Sequence, residues 1–421
     1  MERQKLIING GNQLMGEIAV QGAKNSSLPL LSATALIPQG ECILHNCPRL
    51  TDVDYAMRIL SCIGVKCRRE GGTVITDASA LTNNEIPQSL MREMRSSIVF
   101  LGAMLGRMNS CKLSFPGGCE LGPRPIDLHL SALREMGAEI TEQHGYLMCN
   151  APKGLHGADI SLSFPSVGAT ENIMLAAVRA KGVTQIHNAA REPEICDLAE
   201  FLSSCGAKVL GAGTDIITVE GVEKLYPCEH RVISDRIVAA TYLSAVACCK
   251  GELILTGVQS AYLGQIIPLL QSMGCKIYSF GKDSIYIRVK GRLKAPATIR
   301  TMPYPGFPTD AQALLMTATA TAQGTTVFVE NIFENRYRHV SELSRMGANI
   351  KVEGKVAVVE GVSTLYGGEL QATDLRGGAA LVLAALSAEG KSAVTRLCYI
   401  DRGYENIEGA FRSIGADIKR I

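Results

Sequence analysis

One phrase recurs six times along the chain: LSCIGVKC (60–67), LREMGAEI (133–140), LSSCGAKV (202–209), LQSMGCKI (270–277), LSRMGANI (343–350) and FRSIGADI (411–418). Its glycine stands at Gly64, Gly137, Gly206, Gly274, Gly347 and Gly415, spaced 68–73 residues apart, so six copies account for all 421 residues. Self-similarity at a fixed period marks structural units that bury their apolar faces on one another. The phrase itself reads as a helix end, a glycine in a left-handed cap and the start of a strand. Upstream lie long helices of small apolar residues, such as SSLPLLSATALI (26–37), GATENIMLAAVRA (168–180), DRIVAATYLSAVACC (235–249), DAQALLMTATATA (310–322) and GGAALVLAALSA (377–388). They are apolar almost all round, which predicts burial on every side. A β-rich run follows each helix, then a second helix ending in the recurrent phrase, then usually a hairpin. Each unit reads as β-α-β-α-β-β. The sixth stops at Ile421, short of its last hairpin strand, and KLIINGG (5–11) has the pattern of the missing one. The first strand pair is therefore expected to belong with the last unit. The prediction is an α/β chain with two domains of three units each, 22–231 and a discontinuous 1–21 plus 232–421. A cleft between two such domains is the expected ligand site.

Composition narrows the function. The net charge of +2, from 42 basic and 40 acidic residues, excludes a strongly basic nucleic-acid binder. At 47% hydrophobic and 19% charged residues, the chain is too apolar to be disordered. The opening MERQKLIINGG lacks the apolar core of a signal peptide, and no run reaches the length of a membrane span. The 14 cysteines form no CxxC pair, and several sit in apolar stretches. A soluble, reduced, cytoplasmic protein is expected, with no metal and no cofactor. Cys42, His45 and Cys47 lack a second ligand pair to complete a metal site. GKS at 390–392 ends a helix, and a P-loop would need glycine where Ala385 stands.

Helix N-termini present unpaired N–H groups and attract anions. The residues opening the six buried helices are Lys24-Asn25, Arg95-Ser96, Ser166-Val167-Gly168, Asp235-Arg236, Thr309-Asp310 and Thr373-Asp374, with Arg376 just behind. Capping is the plain explanation for the Ser, Thr and Asp residues. It does not explain Lys24, Arg95 or Arg376, because a cation at a helix N-terminus opposes the dipole. A bound anion would remove the conflict. The loops that follow the middle strands are expected at the same end of the fold. Three of them are basic or glycine-rich: FPGGCELGPRPIDLH (115–129), NIFENRYRH (331–339) and CYIDRGYEN (398–406). The first is three residues longer than its siblings. Its glycines flank Cys119, and Arg124 lies close by, so it reads as a mobile lid carrying a reactive thiol.

The motifs GAKNSS (22–27), PGGCELGPRPIDLH (116–129), PSVGATENIM (165–174), NAAREPEI (188–195), PGFPTDAQA (305–313), IFENRYRHVSEL (332–343), DLRGGAAL (374–381) and DRGYENIEGAF (401–411) span nearly the whole chain. Together they resemble the enolpyruvyl transferase family, and within it the branch whose acceptor is UDP-N-acetylglucosamine. The resemblance implies an inside-out α/β barrel fold of two domains. It also implies transfer of enolpyruvyl from phosphoenolpyruvate to the sugar 3-hydroxyl with release of phosphate, the first committed step of peptidoglycan synthesis. Lys24, Asn25, Arg124 and Arg402 would hold phosphoenolpyruvate, Lys24 and Arg402 also serving catalysis. Cys119 would protonate C3 of phosphoenolpyruvate and be alkylated by the epoxide antibiotic fosfomycin. Asp310 would take or orient the proton of the sugar hydroxyl. Arg95, Arg124, Pro125, Ile126, Asp127, Leu128, Ser166, Val167, Gly168, Asp310 and Ile332 match the nucleotide-sugar site, and Arg336, Asp374 and Arg376 look like electrostatic support. Sugar binding is expected to close the two domains. Phe164 stands where some relatives carry a lysine, so the uridine end would be held differently here. Three other readings are weighed: the sister transferase acting on shikimate 3-phosphate, which lacks the PGGC motif, a non-catalytic UDP-sugar-binding regulator, and a DNA clamp. No nucleic-acid or membrane partner is expected, and the sequence leaves the oligomeric state open, a monomer included.

Overall fold

The computed structural model describes residues 4–117 and 126–421. The chain divides into two compact units. A central unit runs from Gly22 to Ile233, and a terminal unit joins the residues up to Gln21 with those from Ser234 to Ile421. Each has its own hydrophobic core. No helix among the described residues is long and apolar enough to cross a membrane.

Among the described residues there are six four-stranded sheets, all of one design. In the third, Asp159–Ser161 runs parallel to the middle strand Val183–His187. That strand is antiparallel to Ile216–Glu220, which is antiparallel in turn to Lys208–Leu210. The helix-strand junction of every unit carries its glycine at positive φ, from +94° at Gly137 and Gly206 to +110° at Gly274. A side chain there would be strained, which is why this one residue survives in all six versions of the phrase.

The buried helices are Lys24–Thr34, Phe100–Met108, Val167–Ala177, Arg236–Cys249, Thr309–Ala320 and Leu375–Ser387. In the terminal unit the last three pack on one another, and in the central unit Phe100–Met108 packs on both of its counterparts. Helices thus lie inside and sheets outside. Small residues permit the close approach: a Cβ at Gly102 would come within 2.2 Å of the carbonyl oxygen of Asn172.

The first strand pair is split, contrary to the expectation that both strands join the last unit. Leu6–Asn9 does complete the sixth sheet, between Lys391–Thr395 and Asp417–Arg420. Leu14–Ala19 instead lies parallel to Gly251–Thr256 in the fourth. That position is open because the strand preceding the fourth helix, Glu229–Arg231, pairs with Glu41–His45 of the first sheet. The chain therefore exchanges one entry strand at each passage between units, and every middle strand keeps two neighbours.

Candidate active site

The six helix starts separate into two kinds. Ser166, Asp235 and Asp374 are true caps. The Ser166 hydroxyl accepts from Ala169 N, Asp235 from Ile237 N and Val238 N, and Asp374 from Arg376 N and Gly377 N. Capping explains these three. Lys24 and Asp310 lie inside the first turn of helices whose N-cap residues, Ala23 and Pro308, make no side-chain cap. Arg95 opens a 3-10 turn, Arg95–Val99, which leads into Phe100–Met108, so it does not open the α-helix itself.

For two of the three cations the neighbouring anion is a protein carboxylate. Lys24 Nζ lies 3.2 Å from Asp52 Oδ2, with Asp52 almost wholly buried. Arg376 Nη2 lies 3.6 Å from Asp310 Oδ2. The conflict with the helix dipole is thus met inside the fold, an outcome the sequence reading did not contain.

In the terminal unit Asp310 is the centre of a built cluster. Arg336, only 2% exposed, donates from Nη2 to Asp310 Oδ1 at 2.7 Å and from Nε and Nη2 to the Thr309 carbonyl at 3.1 and 2.8 Å. The guanidinium thus clamps the helix start and its carboxylate together. On the other side Arg376 donates from Nη1 to the Tyr404 hydroxyl at 3.3 Å, and that hydroxyl meets Thr241 Oγ1 at 2.8 Å. Burial opposes the Arg376 charge, but Tyr404, Asp310 and Asp235 hold its pKa above the ordinary guanidinium value. Burial pushes the Tyr404 phenol up. His339 is fully buried beside these groups. Desolvation, helped by Arg336 and opposed by Asp374, pushes it down to about 4, so it is neutral near pH 7. Asp310 remains 29% exposed between the two buried cations.

Two further candidates join this unit through the backbone. Ile332 is held by Glu330, a carboxylate only 1% exposed. Glu330 accepts from Ile332 N (2.8 Å), Phe333 N (3.1 Å), Thr301 Oγ1 (2.9 Å) and Thr309 Oγ1 (3.1 Å). Arg402 ends the 3-10 turn Ile400–Arg402. Gln21 brackets that loop, donating to the Gly403 carbonyl and accepting from Glu405 N.

In the central unit Asn172 gathers the nucleotide-sugar candidates. Its side chain donates to the Ile98 carbonyl at 2.9 Å, accepts from Gly102 N at 2.6 Å and meets His129 Nδ1 at 2.7 Å. The turn of Arg95 is thereby tied to Val167–Ala177, which begins at Ser166 and contains Gly168. The helix Asp127–Glu135 is tied to it as well, with Ile126 buried at its N-cap and Leu128 half-buried. A Cβ at Gly168 would lie 3.1 Å from His129, so these two helix starts touch. Lys24 and Asn25 begin a third helix, where Ser26 Oγ donates to Asp197 Oδ2. Phe164 is 44% exposed just before this Ser166 cap. Cys119, Arg124 and Pro125 lie outside the described residues.

Sequence reading missed Asn172, His129, Glu330, Tyr404, Asp52 and Asp197. The available signal was a polar residue inside an apolar run, as in GATENIM and IDLHLSAL, and such residues are common enough to pass as cap or surface positions.

The family model described as EPSP synthase (3-phosphoshikimate 1-carboxyvinyltransferase) matches residues 8–411. UDP-N-acetylglucosamine 1-carboxyvinyltransferase 2 of Caldanaerobacter subterraneus subsp. tengcongensis is 50% identical over 417 residues, 99% of each chain. UDP-N-acetylglucosamine 1-carboxyvinyltransferase 1 of Staphylococcus aureus is 44% identical over 419 residues, again 99% of each. Among solved structures, the enolpyruvyl transferase NikO from Streptomyces tendae matches with a TM-score of 0.90 at 25% identity, covering 100% of this chain and 99% of its own. EPSP synthase from Acinetobacter baumannii shares the fold, with a TM-score of 0.77 at 21% identity over 99% of this chain and 100% of its own.

Proposed function

The chain belongs to the enolpyruvyl transferase family, and from that premise we propose that it joins phosphoenolpyruvate to the 3-hydroxyl of UDP-N-acetylglucosamine, a cytoplasmic step of peptidoglycan synthesis. The relatives that carry this name are 44–50% identical over nearly the full chain, which favours it over the shikimate 3-phosphate and regulatory readings. The geometry that supports it best is Asp310, a partly exposed carboxylate fixed by two buried guanidinium groups at a helix start.

The chemistry assigns the roles. In the addition step a proton reaches C3 of phosphoenolpyruvate, the sugar oxygen bonds to C2, and the hydroxyl proton leaves to a base. The tetrahedral ketal then loses a proton from C3 and expels phosphate. Cys119 is the proposed acid, since a thiol of ordinary pKa near about 8.5 is largely protonated at neutral pH. Asp310 is the proposed acceptor of the hydroxyl proton. Lys24, Arg124 and Arg402 carry the charge needed against a phosphate and a carboxylate, and the guanidinium forks suit both. Asn25 is proposed to lie close to the reacting carbon. Arg95, Asp127, Leu128, Ser166, Val167, Gly168 and Ile332 are proposed to hold the nucleotide sugar.

Phosphate release from phosphoenolpyruvate is the deciding assay. Release with UDP-N-acetylglucosamine, and none with shikimate 3-phosphate or without acceptor, is the expected pattern. Folded protein that releases no phosphate with any acceptor would leave the regulatory reading standing. A second expectation concerns Cys119. Incubation with fosfomycin and the nucleotide sugar should add one drug mass to the intact protein, map to Cys119 and abolish turnover. An unshifted mass spectrum would refute the assignment of a reactive thiol there.

A further inference from the structure

Every cysteine among the described residues is unbridged, yet three of them meet in the central unit. Cys205 Sγ lies 3.3 Å from Cys228 Sγ, and Cys42 is within hydrogen-bond reach of Cys205. The three come from separate elements. Cys42 lies on the strand Glu41–His45, Cys205 is the C-cap of the helix Pro193–Ser204, and Cys228 immediately precedes Glu229–Arg231. Cys42 and Cys205 are buried, and Cys228 is partly open to solvent. We propose that Cys228 and Cys205 form an oxidant-sensitive pair, in which a peroxide oxidises Cys228 and Cys205 resolves it to a disulfide.

The chemistry balances without another reactant. The Cys228 thiolate displaces hydroxide from hydrogen peroxide and becomes a sulfenic acid. Cys205 sulfur then bonds to Cys228 sulfur, and water leaves with the hydroxyl and the Cys205 proton. Two thiols lose two electrons and one peroxide gains them. A disulfide needs an S–S distance of about 2.05 Å, so the sulfurs must close by roughly 1.3 Å. Access makes Cys228 the first target. Its thiol is also the better nucleophile, because the Cys205 thiol, set against burial and assisted by His230, holds it below the ordinary value. The same contacts, together with burial, push Cys205 the other way, which leaves Cys228 as the first of the two to react.

The position of the pair gives oxidation a consequence. Two residues beyond Cys228, His230 Nε2 lies 2.8 Å from Asp197 Oδ1. Asp197 Oδ2 accepts from Ser26 Oγ and from Ile233 N. The Ile233 carbonyl in turn accepts from Ala23 N at 2.7 Å, directly before Lys24. Asp197 and Cys205 belong to one helix and its C-cap, so a bridge would add a second tie, at the C-terminal end, between that helix and the segment 228–233. The start of the helix bearing Lys24 and Asn25 hangs on the same segment. Asp197, His230 and Ser26 act here as positioning residues.

The test uses the full chain. Treat it with a few equivalents of hydrogen peroxide, block free thiols, digest with trypsin and map the products. The expected product joins LYPCEHR (225–231) to EPEICDLAEFLSSCGAK (192–208), with fragmentation placing the bond at Cys205 and not at Cys196. Dithiothreitol should release it. In Cys205→Ser, Cys228 should accumulate as sulfenic and sulfinic acid, and in Cys228→Ser, Cys205 should stay reduced. A Cys42–Cys205 bridge as the main product, or no 205–228 bridge while other thiols oxidise, overturns the proposal. The unmodified chain decides this even where a variant fails to fold. Hydrogen exchange over 23–34 should change on oxidation of the unmodified chain and not of Cys228→Ser. Unchanged exchange in the bridged protein would refute the coupling. These readouts do not depend on the proposed activity. The kinetic consequence does rest on it: a several-fold rise in KM for phosphoenolpyruvate, reversed by dithiothreitol and absent in Cys228→Ser, which keeps Cys119 as the control for direct oxidation there.

Discussion

Replacing Asp310 by asparagine should lower kcat about 100- to 10,000-fold, the usual loss when a positioned acid or base is removed. The substitution keeps the volume and one oxygen, so it tests charge and proton affinity more than packing. The carboxylate stands between Arg336 at 2.7 Å and Arg376 at 3.6 Å, and both guanidinium groups are buried. Removing its charge deprives both guanidinium groups of their shared carboxylate, and breaking a buried pair typically costs about 3–5 kcal/mol. The 29% exposure of Asp310 should put the measured loss at the lower end of that range. Thermal melts and turnover must therefore be measured together. A variant with intact melting and lost turnover assigns Asp310 to the chemistry. The pH profile then separates its two roles. A base gives an acidic limb of kcat that vanishes in Asp310→Asn, whereas a group that only orients the hydroxyl leaves the limb in place at lower amplitude. Turnover within threefold of the unmodified chain would remove Asp310 from the mechanism altogether.

The sequence shows its architecture because the architecture is repeated. A glycine forced to positive φ at each helix-strand junction cannot drift, so the six copies are countable without coordinates. The helices buried on all sides are equally legible, since no polar face interrupts them. The exchanged entry strands were not. Leu14–Ala19 and Glu229–Arg231 are three to six residues long, and nothing local in a short strand records which middle strand it pairs with. The site divides in the same way. Lys24 and Arg376 stood out because their charges contradict capping, and the structure supplies a carboxylate partner for each, whereas Asp310 was singled out by the family resemblance alone. Asp52, Tyr404 and Glu330 did not stand out, because the groups they serve lie 28, 28 and 21 residues away in sequence, from Lys24, Arg376 and Thr309. Only the fold brings these pairs together.

Glu330 is where that hidden layer should produce its largest effect on stability. An acid directly after the apolar strand Thr325–Val329 reads as the first residue of a surface loop, yet it is 1% exposed. Four donors converge on its two oxygens, two backbone amides and two threonine hydroxyls. Glutamine in its place would turn one acceptor into a donor facing the Thr309 hydroxyl or the Ile332 and Phe333 amides. Hydrogen bonds to a charged group contribute about 1.5–3 kcal/mol each, and a buried donor left unmatched costs a further 1–3 kcal/mol or so. A loss on the order of 3 kcal/mol is expected, which lowers Tm by about 6–12 °C for a unit of this size. The same carboxylate ties the Ile332 turn to Thr309, next to Asp310, so KM for UDP-N-acetylglucosamine should rise several-fold in any Glu330→Gln protein that remains folded. Thr309→Val provides the comparison, because it removes one of the four contacts and keeps the carboxylate. It should show a smaller fall in Tm, about 3–6 °C, with the same direction of change in KM. A Glu330→Gln melt within 2 °C of the unmodified chain would mean that the four contacts do not organise this loop.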